Sequence, residues 1–343
     1  MAKSILLTGG CGFIGSCFVR QRVALGDRVI ILDALTYAGH RENLDGIKGP
    51  GSFELVVDNI CNGPRIRELL KTHSIDWFIN FAAESHVDRS IDAPSAFIEN
   101  NIRGVITVVS AALEYWQGLT GTKKDAFRFL QISTDEVYGS LGPTGKFSET
   151  TAMAPNSPYS ASKAAGDHLV RAWYHTYGLP TITTNCSNNY GPRQFPEKLI
   201  PHMIACAVGG KPLPMYGDGG NIRDWIHVED HCRGISLALE KGKLGHTYCF
   251  GGNAEKNNLD VVNAICAELD RLRPRLDGKP HKTGISFVKD RLGHDRRYAI
   301  DDTLAMRELE FKREFDFERG LASAVKWYLD NDSWCKAVTG VKK

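Results

Sequence analysis

Short, uninterrupted apolar runs recur along the first half of the chain: SILLTGG from Ser4, RVIILD to Asp33, FELVVD to Asp58, WFINFAA from Trp77, RFLQIST to Thr134 and TITTNCS from Thr181. They lack in-out alternation and end at Gly, Asp or Asn, which predicts strands buried on both faces. Between them the apolar positions take helical spacing, over residues 13–25, 63–72, 94–117 and 158–177. Strand and helix in regular alternation predict an α/β fold of the Rossmann type, a doubly wound parallel sheet.

Beyond about residue 190 the rhythm breaks. Prolines and glycines cluster in YGPRQFPEKLIP and GGKPLPMYGDGGN, the start of a smaller α/β lobe, while HTYCFGG (246–252) is expected to rejoin the main sheet. The predicted organisation is therefore interleaved. Residues 1–190, with part of 224–252 returning to them, form a dinucleotide-binding domain. Residues 191–223 and 253–343 form a substrate-binding lobe, and the two share one cleft.

Composition narrows the function only a little. A chain of 343 residues with 42% hydrophobic and 24% charged residues can build an ample core. Its net charge of +2 and lack of a basic run argue against nucleic acid as a partner. The apolar run before the first glycines is too short for a signal peptide, and no stretch suits a membrane span, so a cytoplasmic protein is expected. Nine cysteines are odd in number and form no CxxC pair, which favours reduced thiols over disulfides or a metal site.

The first strand runs into LLTGGCGFIGS, with the spacing Gly9-x-x-Gly12-x-x-Gly15. Such glycines let backbone approach a pyrophosphate at a helix N-terminus, although a glycine-rich turn can also be purely structural. The second strand ends at Asp33, suited to accept ribose hydroxyls, and no arginine stands among residues 33–36, which favours NAD over NADP. Asp58, ending the third run, suits the adenine neighbourhood or simply starts a turn.

Tyr159-x-x-x-Lys163 puts a phenol and an ammonium on one helix face, where the cation favours the phenolate and so a base. Upstream, ISTDEVYG sets Asp135 beside Glu136 at a strand end. Two adjacent carboxylates in a desolvated cleft resist joint ionisation, so one becomes a proton donor while the other stays a base.

In this order TGGCGFIG, STDEVYG and YSASK resemble the extended short-chain dehydrogenase/reductases acting on nucleotide sugars. DALTYAGHRENL, FAAESHVDRSI, NNYGPRQFPEKLIP, PLPMYGDGGNIRDWIHVEDH and DRLGHDRRYAID resemble the dTDP-glucose 4,6-dehydratase family, over residues 5–302. The resemblance implies a lyase that uses NAD internally. Tyr159, with Thr134 and Lys163, would serve oxidation at C4 of dTDP-glucose. Glu136 would remove the C5 proton and Asp135 would protonate the leaving 6-hydroxyl.

It also implies a cofactor set: Gly9, Gly12, Phe13, Ile14, Gly15, Asp33, Ala34, Leu35, Thr36, Asp58, Asn59, Ile60, Ala82, Ala83, Ser85, Asn100, Tyr159, Lys163 and Asn189. The implied substrate set is Ser85, His86, Thr134, Asn188, Lys198, Leu199, Pro214, Met215, Tyr216, Arg223, Asn258, Asp290, Arg291 and His294. A homodimer through a four-helix bundle of helices 94–117 and 158–177 is implied as well.

The nearest rivals are a UDP-glucose 4,6-dehydratase and an epimerase or decarboxylase of the same fold. Epimerases and decarboxylases typically lack the Asp of the pair. An NAD-binding scaffold without activity would be expected to have lost one of Asp135, Glu136, Tyr159 or Lys163.

Overall fold

The structure is a computed structural model that describes residues 2–340. The first half runs β1 (Ser4–Thr8), α1 (Phe13–Ala24), β2 (Arg28–Asp33), β3 (Ser52–Val57), α2 (Gly63–His73) and β4 (Trp77–Asn80). It continues through α3 (Val87–Asp92), α4 (Pro94–Ile98), a π-helical turn (Glu99–Gly104), α5 (Val105–Gln117) and α6 (Gly121–Ala126). Then come β5 (Arg128–Thr134), a 3-10 turn (Asp135–Tyr138) and α7 (Pro158–Tyr177).

The second half holds β6 (Thr181–Cys186), β7 (Asn188–Tyr190), α8 (Leu199–Val208), β8 (Leu213–Tyr216), β9 (Ile222–His227) and α9 (Val228–Lys241). It ends with β10 (Thr247–Phe250), β11 (Glu255–Asn257), α10 (Asn258–Leu272), β12 (Ile285–Val288), α11 (Thr303–Leu309), α12 (Phe317–Asp330) and α13 (Asp332–Thr339).

Seven parallel strands form the main sheet in the order β10-β6-β5-β4-β1-β2-β3. Strand β1 shows why its sequence carries no alternation. Ile5 and Leu7 enter the core on one face, Leu6 enters the core on the other, and all three are fully buried. The chain winds outward from β1 to β3 and then crosses to β4 on the other side of β1. That reversal opens a crevice at the carboxyl ends of β1 and β4, where α/β sheets of this kind bind ligands.

Local chemistry sets the helix ends that matter. Ser157 and Ser160 close a reciprocal capping box at the start of α7, Pro158 takes the first helical position, and Gly178 ends the helix in the left-handed region. The predicted helix 94–117 is continuous but contains the π turn at 99–104, a widening that single-residue periodicity does not reveal.

The second lobe has a three-stranded sheet, β11-β9-β7, and a parallel pair, β12-β8. Its own core gathers Met203, Leu213, Trp225, Ile265, Leu321 and Trp334. Residues 303–311, expected above in the substrate lobe, depart from it: Ala305, Leu309 and Phe311 pack into the first core with Ile235 and Phe250. Their apolar face covers the end of the main sheet at β10.

Candidate active site

A cleft of about 310 Å³ opens at the β1/β4 crevice and runs toward the second lobe. Gly9, Gly12, Phe13, Ile14 and Gly15 line one end. A Cβ on Gly15 would stand 2.2 Å from the Gly9 carbonyl oxygen, so glycine there lets α1 pack on its own loop. A Cβ on Gly12 would meet only that carbonyl, at 3.3 Å; here the cleft, rather than the fold, needs the room. A pyrophosphate fits such a bare helix start.

Asp33, Ala34 and Thr36 form the adjoining wall, followed by Asn59, Ile60, Ala82, Ala83, Ser85 and Asn100. The Asp33 carboxylate accepts the Cys11 and Leu35 N–H groups, each at 2.8 Å. Burial pushes it up, against those two bonds and the pull of His40. Each carboxylate oxygen keeps a lone pair for a ribose hydroxyl.

Two members of the expected cofactor set stand elsewhere. Leu35 takes a positive φ of 51° and packs against the first core. Asp58 accepts the Asn59 N–H at 2.7 Å and the Asn62 amide at 2.9 Å, holding the turn into α2. Its neighbours Asn59 and Ile60 line the cleft.

Thr134, Asp135, Glu136, Tyr159 and Lys163 meet in the middle of the cleft. The Thr134 hydroxyl donates to Asp135 Oδ1 at 3.3 Å and accepts the Glu136 N–H at 3.3 Å. Burial pushes both carboxyls up, but their other influences differ. Asp135 is raised further by Glu136 and Asp224 and lies well above the usual range, with an Oδ2 that has no partner. Glu136 is drawn back down by Arg291, Arg223 and Lys198.

The Tyr159–Lys163 pair departs from the simple expectation. Lys163 Nζ donates to the Ile132 carbonyl at 2.7 Å, and burial pushes its ammonium down. The Tyr159 phenol is driven well up, first by burial and then by Glu136 and Cys186, against a hydrogen bond with Thr134. The chain alone therefore favours the neutral phenol, and the phenolate calls for added positive charge at this spot.

Of the expected substrate set, Ser85, Thr134, Asn188 and Lys198 line the cleft, while Pro214, Tyr216, Arg223, Asp290, Arg291 and His294 stand outside its lining. Asn188 has a buried, unpartnered Oδ1, and Lys198 donates to the Ser85 carbonyl at 2.9 Å. Asn189 also lines the cleft, with its amide spent on the Cys186 sulfur, the Ser187 carbonyl and the His231 ring. Arg223 lies over the Tyr298 ring and donates to the Asp295 carbonyl at 2.9 Å. Arg291 sits 3.6 Å from Asp88, and His294 contacts Asp290 at 2.6 Å. Tyr216 meets His294 edge to face, with Pro214 on the same side of its strand.

Four further residues of the expected substrate set do not line the cleft. Met215 is 1% exposed inside the second core, because β8 alternates and Leu213 and Met215 face inward. Leu199 packs against that same core. The His86 ring caps α3, accepting the Arg89 N–H at 3.3 Å, and its other nitrogen faces Glu197 at 3.5 Å. Asn258 opens α10, its N–H bound to the Asn221 carbonyl at 3.0 Å.

Sequence reasoning missed Tyr37, Cys186, Gln194, Phe195 and Glu197, all lining the cleft. It also missed Asn101 in the π turn, which is 2% exposed. Its amide binds both the N–H and the carbonyl of Glu84, at 2.8 and 3.0 Å, and the Ser162 hydroxyl at 2.9 Å. A buried Asn clamps the loop that carries Ser85.

The model of the family described as GDP-mannose 4,6 dehydratase matches residues 6–324. The dTDP-glucose 4,6-dehydratase of Xanthomonas campestris pv. campestris (strain B100) is 56% identical over 333 residues, 97% of this chain and 95% of that protein. The dTDP-glucose 4,6-dehydratase 1 of Escherichia coli (strain K12) is 51% identical over 340 residues, 96% of this chain and 94% of that protein. Among solved structures, dTDP-glucose 4,6-dehydratase of Streptomyces venezuelae with NAD bound is 41% identical, with a TM-score of 0.88 over 98% of this chain and 99% of that one. The enzyme of the same name from Bacillus anthracis str. Ames, in complex with NAD, is 43% identical, with a TM-score of 0.85 over 98% of this chain and 100% of that one.

Proposed function

The chain belongs to the GDP-mannose 4,6-dehydratase family, and from that premise we propose that it converts dTDP-glucose to dTDP-4-keto-6-deoxyglucose and water. One observation carries the reading: an acid and a base with opposed surroundings, Asp135 and Glu136, share a wall with Tyr159. An epimerase or a simple dehydrogenase has no use for that pair.

The glycine loop of residues 9–15, Asp33 and the walls at 59–60 and 82–85 would hold NAD. Bound there, NAD would supply a hydride acceptor for C4 and, in reduced form, the donor to C6. Tyr159 removes the 4-hydroxyl proton, oriented by Thr134. The C4 ketone makes the C5 proton acidic, and Glu136, whose ionised form three cations favour against burial, takes it. Asp135, kept protonated by burial and two carboxylates, gives its proton to the departing 6-hydroxyl. The hydride would then return to C6 and a proton to C5, and the proton Tyr159 took makes good the one Asp135 gave, so atoms and electrons balance and no external reductant is consumed. Arg223, Arg291 and Lys198 would face the diphosphate.

The protein works as a homodimer in this reading, through helices 94–117 and 158–177. Ile98, Ile106 and Tyr177 are exposed there, at 51%, 39% and 49%. It also works in the cytoplasm, consistent with nine unpaired cysteines. Among the described residues no helix is long and apolar enough to cross a membrane.

Incubation of the purified protein with dTDP-glucose and, separately, with UDP-glucose tests the reading. Product with a 4-keto-6-deoxy sugar should form from dTDP-glucose without net NADH. Stoichiometric NADH, or no keto sugar from dTDP-glucose, would overturn it; faster turnover of UDP-glucose would reassign the nucleotide.

A further inference from the structure

One helical turn beyond Lys163, on the same face of α7, stands a carboxylate that the scheme above leaves unused. Asp167 is 4% exposed. Its Oδ2 accepts the Ser133 hydroxyl at 2.7 Å and the Asn185 amide at 3.3 Å, and its Oδ1 is buried without a partner. Asn185 donates to the Thr134 carbonyl at 2.9 Å as well. The carboxylate is thus built into the strand end that carries Thr134, Asp135 and Glu136.

A buried carboxylate with one bare oxygen costs stability unless a cation offsets it. The charged and titratable groups acting on Asp167 are Lys163 and His168 on α7, and Tyr138 in the 3-10 turn. Burial pushes the Asp167 carboxyl up to about 6, against Lys163 first and the two hydrogen bonds next, so it is mostly ionised at neutral pH. The influence runs both ways: burial pushes Lys163 down, and Asp167 is the first group that holds it up. The observed partner of the ammonium, the Ile132 carbonyl, is neutral.

We propose that Asp167 is a positioning residue for the C4 oxidation: it keeps Lys163 an ammonium, and Lys163 in turn readies Tyr159 to act as a base. Ser133 and Asn185 hold the carboxylate at the spot where its charge reaches Lys163. The inference rests on the dehydratase reading of the site. A mere structural peg would need an acceptor here but no charge.

Asp167→Asn separates the two roles, since a carboxamide oxygen can still accept from Ser133 and Asn185. Wild type, Asp167→Asn, Asp167→Glu, Lys163→Met and the Asp167→Asn/Lys163→Met double variant would be compared in single turnovers with dTDP-glucose. Nicotinamide absorbance follows the oxidation, and mass spectrometry follows the keto sugar.

Asp167→Asn should keep KM but slow the oxidation by at least about tenfold, with its acid limb about one pH unit higher, because Tyr159 then loses its proton less readily. Asp167→Glu should recover part of the rate, and the double variant should be no slower than Lys163→Met alone. Unchanged rate and limb in Asp167→Asn, or multiplying losses in the double variant, would overturn the inference. Should Asp167→Asn not fold, Ser133→Ala removes one hydrogen bond to the carboxylate and should still raise the acid limb; an unmoved limb overturns the inference. A wild type that makes no keto sugar overturns the dehydratase reading instead.

Discussion

Glu136 answers to the cations Arg291, Arg223 and Lys198, whereas its chain neighbour Asp135 answers first to the carboxylates of Glu136 and Asp224. The backbone makes them adjacent; the surroundings make them different. Burial alone would raise both, and the lopsided charges then push their protonation states apart.

Replacing either one should therefore stop the elimination while sparing the oxidation. Asp135→Asn and Glu136→Gln should both still reduce bound NAD on mixing with dTDP-glucose. Formation of 4-keto-6-deoxy product should fall by about 10²–10⁴-fold. Single-turnover absorbance with product analysis checks this, and full dehydration by either variant would remove its assigned role.

Arg291 is the first of the cations holding Glu136 down. In Arg291→Met the Glu136 carboxyl should rise, so ionised base appears only at higher pH. The acid limb of the elimination should then move up, by roughly one pH unit. A pH–rate profile of product formation at saturating substrate reads the shift.

Asn101→Ala would leave the partly buried N–H of Glu84 without its acceptor, at 2.8 Å in the intact protein. Stability should fall by about 1–3 kcal/mol, measurable by denaturant unfolding. The loop through Ser85 should also loosen, so NAD affinity should weaken even though Asn101 itself does not line the cleft.

Acid should destabilise the fold through two buried histidines. Burial pushes His231 down to about 3 and His227 to about 4. Both folded values lie below the ordinary value of about 6.5, so the unfolded chain binds these protons first. Their contribution is whole above pH of about 6.5 and is lost as pH falls toward the folded values. In His231→Gln the melting temperature should fall less steeply than in the wild type between those limits.

How far the sequence could be read depended on how local each signal was. Gly9, Gly12, Gly15 and Asp33 were legible because a strand, a turn and a helix start lie within one short stretch. The roles of Asp135 and Glu136 were legible as a pair, but which one stays ionised depends on Arg291, Arg223 and Lys198, all distant in sequence. Met215 and Leu35 turn their side chains toward the cores, and motif position does not say which way a side chain points. Asp58 holds the next turn, a use that a strand-end carboxylate can have as readily as a ligand. Asn101 carried no signal at all: a polar residue in an amphipathic helix reads as solvated until the π turn rotates it inward.

The return of β10 to the edge of the main sheet has a practical consequence for anyone dissecting this chain. A fragment ending at residue 190 would lack that edge strand, the α9 layer and the 303–311 cover, and would leave β6 with an open flank. Neither half is severable. In the proposed reading, a recombinant swap of sugar specificity would therefore have to be made by exchanging loops within one continuous fold rather than by grafting a module.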